Sequence, residues 1–288
     1  MYEDVIKIVG QASGSVSIVI AGVHGDESCG VEAFSQLLPH FTIDNGTVFF
    51  AYGNPRAIQK NVRFDEFNLN RLFKDDDLIS DDIKASYEYG RAQQLKVYMD
   101  KSSAMLDIHA SSIKNSRIFA ICEPNSKDIV CHLPTDLIVS GFDDIEPGGT
   151  DGYMNSNGKI GICLECGFGG DPISILVAID GIFSFLRSRG HINDVPMPIK
   201  HQNNIRVFHL HHSKTDSFKL AKNFENFEKV AKGQLIGTDG IEEVCAPKKC
   251  VILFAHNREA IGSEVFLLCQ EKKPWTVVKQ PKAKPSHR

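Results

Sequence analysis

The feature that most constrains this chain is the run Val16–Val23 (VSIVIAGV), which is apolar along nearly its whole length and ends at His24-Gly25-Asp26-Glu27. A strand with one face in water alternates apolar and polar residues. A continuous apolar run instead fits a strand buried on both faces, as in a parallel sheet covered by helices. A loop and then a helix with Val31, Phe34, Leu37 and Leu38 on one side are expected next. The alternation continues along the chain. Thr47–Gly53 reads as a strand and Lys84–Met99 as a helix. Ala104–His109, Ile118–Cys122, Leu137–Ser140 and Ile160–Cys166 read as short strands, and Ile173–Ser188 as a helix stopped by Gly190. This pattern predicts an α/β fold with a mixed, largely parallel sheet flanked by helices.

The character changes near residue 200. Ile205–His212, Gly233–Thr238, Glu242–Cys245, Cys250–Ala255 and Glu264–Leu268 are short β-like pieces between Gly, Pro, Asn and Asp turns, with a helical turn weighed near Asn223–Lys232. The expected organisation is an α/β domain over 1–200, a smaller β-rich C-terminal domain over 201–275 and a solvated tail over 276–288. The stretch Glu271–Arg288 holds six Lys or Arg, one acid and three Pro.

Bulk properties narrow the partners. A net charge of −4 argues against nucleic acid or an anionic membrane as the main partner. No apolar stretch has the length of a membrane span. Met1-Tyr2-Glu3-Asp4 lacks the basic and apolar regions of a secretory signal. The eight cysteines form no dense framework, so a cytoplasmic setting with reduced thiols is expected.

His24 and Glu27 follow directly on a buried strand, and sites in open α/β sheets form at the carboxyl ends of strands. With a sharp turn at Gly25, both side chains reach one point. Imidazole and carboxylate are good zinc ligands, and a catalytic zinc takes three protein ligands and keeps one open position. His109, at the end of the strand Ala104–His109, is the candidate third ligand. Asp107, two residues earlier on the same face, is the expected acceptor that orients a ligand or a nearby arginine. Glu165 lies in an apolar strand with Ile160, Ile162 and Leu164 facing the other way. A carboxylate there is costly unless paired or functional, and beside a metal-activated water it can serve as general base. Burial would raise its pKa and a metal's charge would lower it. Each residue also has an ordinary account: a surface His-x-x-Glu, a satisfied strand-end His, a salt-bridged Glu. What points to chemistry is their recurrence at successive strand ends.

Asn54-Pro55-Arg56-Ala57 follows the strand Thr47–Gly53, and Arg63 and Asn68-Leu69-Asn70-Arg71 come soon after. Arginine grips a carboxylate with two parallel hydrogen bonds or stabilises a developing oxyanion. A solvated loop balanced by Asp75-Asp76-Asp77 is the competing account, and spacing alone slightly favours it. Cys163-x-x-Cys166 suits a zinc knuckle poorly. Cys29 reads as a small core residue, His209, His211 and His212 as β alternation, and Gly148–Gly152 fails to match a phosphate-binding loop.

Taken in order, Gly22–Glu27, Asn54–Ala57 with Arg63, Leu69–Phe73, Leu106–His109, Asp151–Tyr153 and Leu164–Gly167 resemble the succinylglutamate desuccinylase/aspartoacylase family of zinc carboxypeptidase-like hydrolases. The resemblance covers residues 16–190, with a less specific likeness over Gly233–Leu268. It implies one Zn2+ per chain on His24, Glu27 and His109, and Glu165 as the base that activates water. It also implies that Arg63 polarises the acyl carbonyl and that Asn70 and Arg71 bind the substrate carboxylate. The implied reaction is amide hydrolysis of a small anionic N-acyl (acetyl- or succinyl-type) amino acid. Asn68 stands where the family often has an acid, and Cys166-Gly167-Phe168-Gly169-Gly170 departs from the Pro-containing segment of aspartoacylase proper, which puts an aspartate-type substrate in doubt. A zinc carboxypeptidase acting on peptides and a non-catalytic metal- or ligand-binding protein are the alternatives, and a homo-oligomer stays open.

Overall fold

The computed structural model describes residues 5–196, 198–199 and 201–276. Its strands are β1 (Val5–Val9), β2 (Ala12–Ala21), β3 (Asn45–Tyr52), β4 (Ala104–Ser111), β5 (Ile118–Cys122), β6 (Leu137–Ser140), β7 (Ile160–Phe168), β8 (Asn203–His212), β9 (Phe218–Leu220), β10 (Glu228–Val230), β11 (Leu235–Asp239), β12 (Glu242–Cys245), β13 (Cys250–Leu253) and β14 (Glu264–Lys272). Its α-helices are α1 (Ser28–Leu37), α2 (Pro55–Lys60), α3 (Asp81–Lys84), α4 (Tyr87–Lys101), α5 (Lys127–Val130), α6 (Phe142–Ile145), α7 (Thr150–Ser156) and α8 (Pro172–Ser188).

The main sheet has 11 strands in the order β1-β3-β2-β4-β7-β5-β6-β8-β14-β13-β10. Its centre, β3-β2-β4-β7, is parallel. β5 runs antiparallel to β7, and β6 and β8 run parallel to β5. The apolar run of β2 is buried on both faces, as its composition requires. Val19 and Ala21 pack with α1 and α8 residues such as Phe34 and Phe185, whereas Ile18 and Ile20 pack with Leu95 and Met99 of α4. The mixed, largely parallel sheet between helices is the expected fold.

The chain leaves β2 for β3 on one side and returns to β4 on the other. This reversal opens a crevice at the carboxyl ends of β2 and β4, where α/β sheets place ligands. Most strand boundaries fall within a few residues of expectation. Two departures have local causes. The helix expected over Lys84–Met99 is two helices, because Ser86 interrupts the path and caps α4 by accepting a hydrogen bond from the Tyr89 N–H at 3.2 Å. The turn weighed near Asn223–Lys232 contains edge strand β10, which pairs antiparallel with β13.

The sheet continues past residue 200. β8, β14, β13 and β10 extend it antiparallel to one another, while β9, β11 and β12 make a separate three-stranded sheet. The C-terminal strands thereby come beside the crevice. Of the tail expected over 276–288, residues 277–288 lie outside the described residues. No described helix is long and apolar enough to cross a membrane.

Candidate metal and substrate site

The turn after β2 brings His24 and Glu27 together. Gly25 packs against the backbone of α2: a Cβ there would sit 2.1 Å from the Ala57 carbonyl carbon. Only glycine allows that approach. The turn closes through Glu27 N–H to the His24 carbonyl (3.3 Å) and Gly25 N–H to the Arg63 carbonyl (3.3 Å). The result points two imidazoles at one carboxylate. His24 Nδ1 lies 2.8 Å from Glu27 Oε1, and His109 Nδ1 lies 2.9 Å from Glu27 Oε2. The Ala110 N–H donates to Glu27 Oε2 at 3.0 Å. All three side chains are buried, and their donor atoms lie within 4.8 Å of one another.

The far nitrogens decide which imidazole atoms are free to bind. His24 Nε2 lies 3.2 Å from the Asn68 side-chain carbonyl. That oxygen accepts only, so Nε2 carries hydrogen and Nδ1 keeps a lone pair. Asn68 thus orients His24 with a neutral amide. On His109, Nε2 lies 3.0 Å from Asp107 Oδ2, a close charged contact without the alignment of a hydrogen bond. Asp107 also accepts from the Thr150 hydroxyl at 2.6 Å, so the expected orienting acid does face His109.

The charges are strongly coupled. Although burial opposes it, His109 and His24 pull Glu27 well below the usual carboxylate range. Against its own burial, His109 is raised well above the usual imidazole value by Asp107 and Glu27. Burial lowers His24, with Glu27 acting the other way. One carboxylate between two imidazole Nδ1 atoms needs a cation between them, either a proton or a metal ion. Two imidazoles and a carboxylate are the donor set of a catalytic zinc site, so these residues fit such an ion. The second possible donor group, Asp107, His109 and Cys163, shares His109 with the first.

Glu165 stands on β7 directly beside His109, to which it is register partner. It lines the same cavity and is raised to about 7 by burial, with His109 opposing and Glu27 reinforcing the shift. Arg63 is half-exposed and donates from Nη1 to Glu27 Oε1 at 3.1 Å. Asn70 accepts the Thr150 N–H at 3.1 Å, which ties it to the start of α7. Arg71 donates from Nε and Nη2 to the two oxygens of Glu264 (3.3 and 3.1 Å) and also contacts Glu146. These residues share a cavity of about 560 Å³. Residues of the C-terminal part, including Phe254, His256, Arg258 and Glu264, also line it.

Other motifs fall outside the site. Asn54 is buried, caps α2 by accepting the Ala57 N–H and donates to Glu88. Arg56 lies over the Tyr87 ring and pairs with Asp65 and Glu66. Cys163 lines the cavity, whereas Cys166 packs with Leu164 in the core on the other sheet face, so the two thiols cannot form a pair. His211 stacks on Phe266 and belongs to no donor group among the described residues. Sequence reasoning missed Glu88, Glu146 and Glu264. Glu88 is fully buried on α4, where a run beginning Tyr87-Glu88-Tyr89 was the only available signal.

A sequence model of the succinylglutamate desuccinylase/aspartoacylase catalytic domain matches residues 13–187. A succinylglutamate desuccinylase from Shewanella sp. (strain MR-4) is 25% identical over 285 residues, covering 89% of this chain and 83% of the relative. The solved succinylglutamate desuccinylase of Vibrio cholerae superposes with a TM-score of 0.77 at 21% identity, over 93% of this chain and 85% of that one. A Vibrio parahaemolyticus structure gives 0.76 at 20% identity, over 94% and 86%. These two structures share the fold.

Proposed function

The chain belongs to the succinylglutamate desuccinylase/aspartoacylase family, and from that premise we propose that it is a zinc-dependent amidohydrolase of small N-acyl amino acids. The observation that carries this reading is the convergence of His24, Glu27 and His109 on one point, with Glu165 in register beside His109. His24 Nδ1, His109 Nδ1 and the Glu27 carboxylate would hold the metal. When bound, zinc supplies Lewis acidity and acidifies water.

The remaining work falls to the chain. Glu165 takes a proton from the attacking water and returns it to the departing nitrogen, splitting the amide into a carboxylic acid and a free amine. A carboxyl raised towards neutrality suits both transfers, since the proton must be accepted and then released. Arg63, already placed at Glu27, donates to the acyl oxygen as negative charge develops there. Asn70 and Arg71 receive the substrate carboxylate. Lining of the cavity by Phe254, His256 and Arg258 of the C-terminal part supports a small substrate over a peptide.

The test is a zinc-supplemented assay against N-acetyl and N-succinyl amino acids, with metal analysis of the protein and of Glu165→Gln. About one zinc per chain is expected in both proteins, with turnover in the parent and its loss by roughly 100-fold or more in the variant. Absence of a bound transition metal after gentle purification, or full activity in Glu165→Gln, would sink the reading.

A further inference from the structure

Asp107, His109 and Cys163 form a second constellation beside the first. In the parallel pairing of β4 with β7, Asp107 is the register partner of Cys163, and His109 of Glu165. Side chains two apart on a strand share a face, so all four stand on one side of the sheet. Asp107, His109 and Cys163 are all buried, and His109 and Cys163 also line the cavity. One ligating atom from each of the three lies within 4.8 Å of the others.

Two atoms of this group are buried without a partner. Asp107 Oδ1 and His109 Nε2 have no hydrogen-bond partner among the described residues. The one hydroxyl hydrogen of Thr150 goes to Asp107 Oδ2 at 2.6 Å, which leaves Oδ1 bare. His109 Nε2 lies 3.0 Å from Oδ2 but out of line for a hydrogen bond. Two ligands of one ion face each other in this way: donor atoms about 2 Å from a zinc-sized cation stand about 3–3.5 Å apart, with no hydrogen between them. A stranded carboxylate oxygen and imidazole nitrogen are costly in a protein interior, and a cation between them removes the cost. Cys163 Sγ, 3.9 Å from the same Thr150 hydroxyl, adds a sulfur donor to the set.

An oxygen, a nitrogen and a sulfur donor suit zinc or cadmium, whereas magnesium and calcium take oxygen ligands. Resting on the zinc reading above only for the ion at His24 and Glu27, we propose that Asp107, His109 and Cys163 hold a second, thiophilic divalent cation, with the His109 ring joining the two sites. His109 Nδ1 faces Glu27 and the first site, and Nε2 faces Asp107 and the second. The ion enters from the cavity, which His109 and Cys163 line, and keeps open positions on that side. As its bonds form, the protons on Nε2 and Sγ leave to solvent, and nothing is oxidised or reduced. The Asp107 carboxylate and the Cys163 thiolate balance its two charges. Two cations on one ring repel each other, so the second ion is held more weakly and binds only when metal exceeds one equivalent.

The test titrates Cd2+ into the zinc-loaded full chain, followed by ultraviolet absorbance, with metal analysis after desalting. A cadmium–thiolate charge-transfer band is expected, saturating as the total reaches about two metal ions per chain. Cys163→Ser should abolish the band and weaken binding of the second ion by about tenfold or more, with the first ion retained. Cys245→Ser, which removes the exposed thiol, should change neither. Anomalous scattering from cadmium-soaked crystals of the parent protein locates the ion without any variant, should Cys163→Ser not fold. A peak bonded to Asp107, His109 and Cys163 is the expected result. Absence of the band, its survival in Cys163→Ser, its loss in Cys245→Ser, or cadmium peaks only elsewhere overturns this inference. A chain that retains no zinc but takes cadmium at Cys163 overturns the amidohydrolase reading and leaves this site supported. A chain that retains one zinc and takes no cadmium at Cys163 overturns this site alone.

Discussion

Glu88 gives the most direct test of how the site is held. Its fully buried carboxylate accepts four hydrogen bonds: on Oε1 from Asn54 Nδ2 (3.1 Å), Asp65 N–H (2.8 Å) and Glu66 N–H (3.2 Å), and on Oε2 from Phe67 N–H (3.4 Å). The stretch 65–67 lies between Arg63 and Asn68, so one side chain of α4 anchors a loop that presents Arg63 to Glu27 on one side and Asn68 to His24 on the other. Glu88→Ala removes the acceptor and strands three backbone donors and one amide. Hydrogen bonds to a charged group contribute about 1.5–3 kcal/mol each when intact, but the long Oε2 bond counts for little and water can reach part of the loop. A loss of about 3–5 kcal/mol is expected, in line with the removal of one partner from a buried charged network. Glu88→Gln keeps an oxygen for the three Oε1 donors and loses only the charge and the weak fourth bond, at about 1–2 kcal/mol. Urea unfolding followed by circular dichroism measures both, and kcat/KM for a turned-over N-acyl amino acid should fall in the same order. A cost below about 1 kcal/mol for alanine, or a glutamine variant as damaged as alanine, would refute the anchoring argument.

Three further outcomes follow from the site. Asn68→Ala removes the acceptor that fixes the His24 tautomer, so zinc affinity should fall by about 10–100-fold in a competitive chelator titration, while Asn68→Asp should recover most of it. Gly25→Ala pushes a methyl group into the Ala57 backbone and should cost at least about 2 kcal/mol by thermal unfolding, with weaker zinc binding because the turn that pairs His24 and Glu27 must move. Asp151 is raised from 3.8 to about 7 in the folded chain, so it binds a proton more tightly there than when unfolded. Its contribution is fully present below pH 3.8 and is lost as pH rises through about 7. Asp151→Asn should therefore flatten the decline of metal-free stability across that window and leave the variant more stable at pH 8, by on the order of 3 kcal/mol. Parallel pH–stability curves for the two proteins would contradict this.

The sequence by itself determined the sheet centre and the edge at which His24, His109 and Glu165 meet. Val16–Val23, Ala104–His109 and Ile160–Cys166 are apolar enough to require burial on both faces, and each is followed or closed by a residue that burial would not tolerate without a task. Burial and strand period are local properties, so His24, His109 and Glu165 were legible, and the family motifs added Arg63, Asn70 and Arg71. What the sequence could not supply was the company these residues keep. Glu146 and Glu264 reach Arg71 across 75 and 193 residues, and neither stands out by spacing or composition. Glu88 looks like any surface acid of a polar helix until the fold turns it onto the loop 65–67. The continuation of the sheet through β8 and β14 was equally hidden, because a short antiparallel strand reads the same whether it joins a new sheet or an old one. That choice is made by long-range pairing, and it puts Glu264 in the cavity. The meeting of His24, His109 and Glu165 was thus written in strand ends, while the acidic company of Arg71 was decided only when distant strands met.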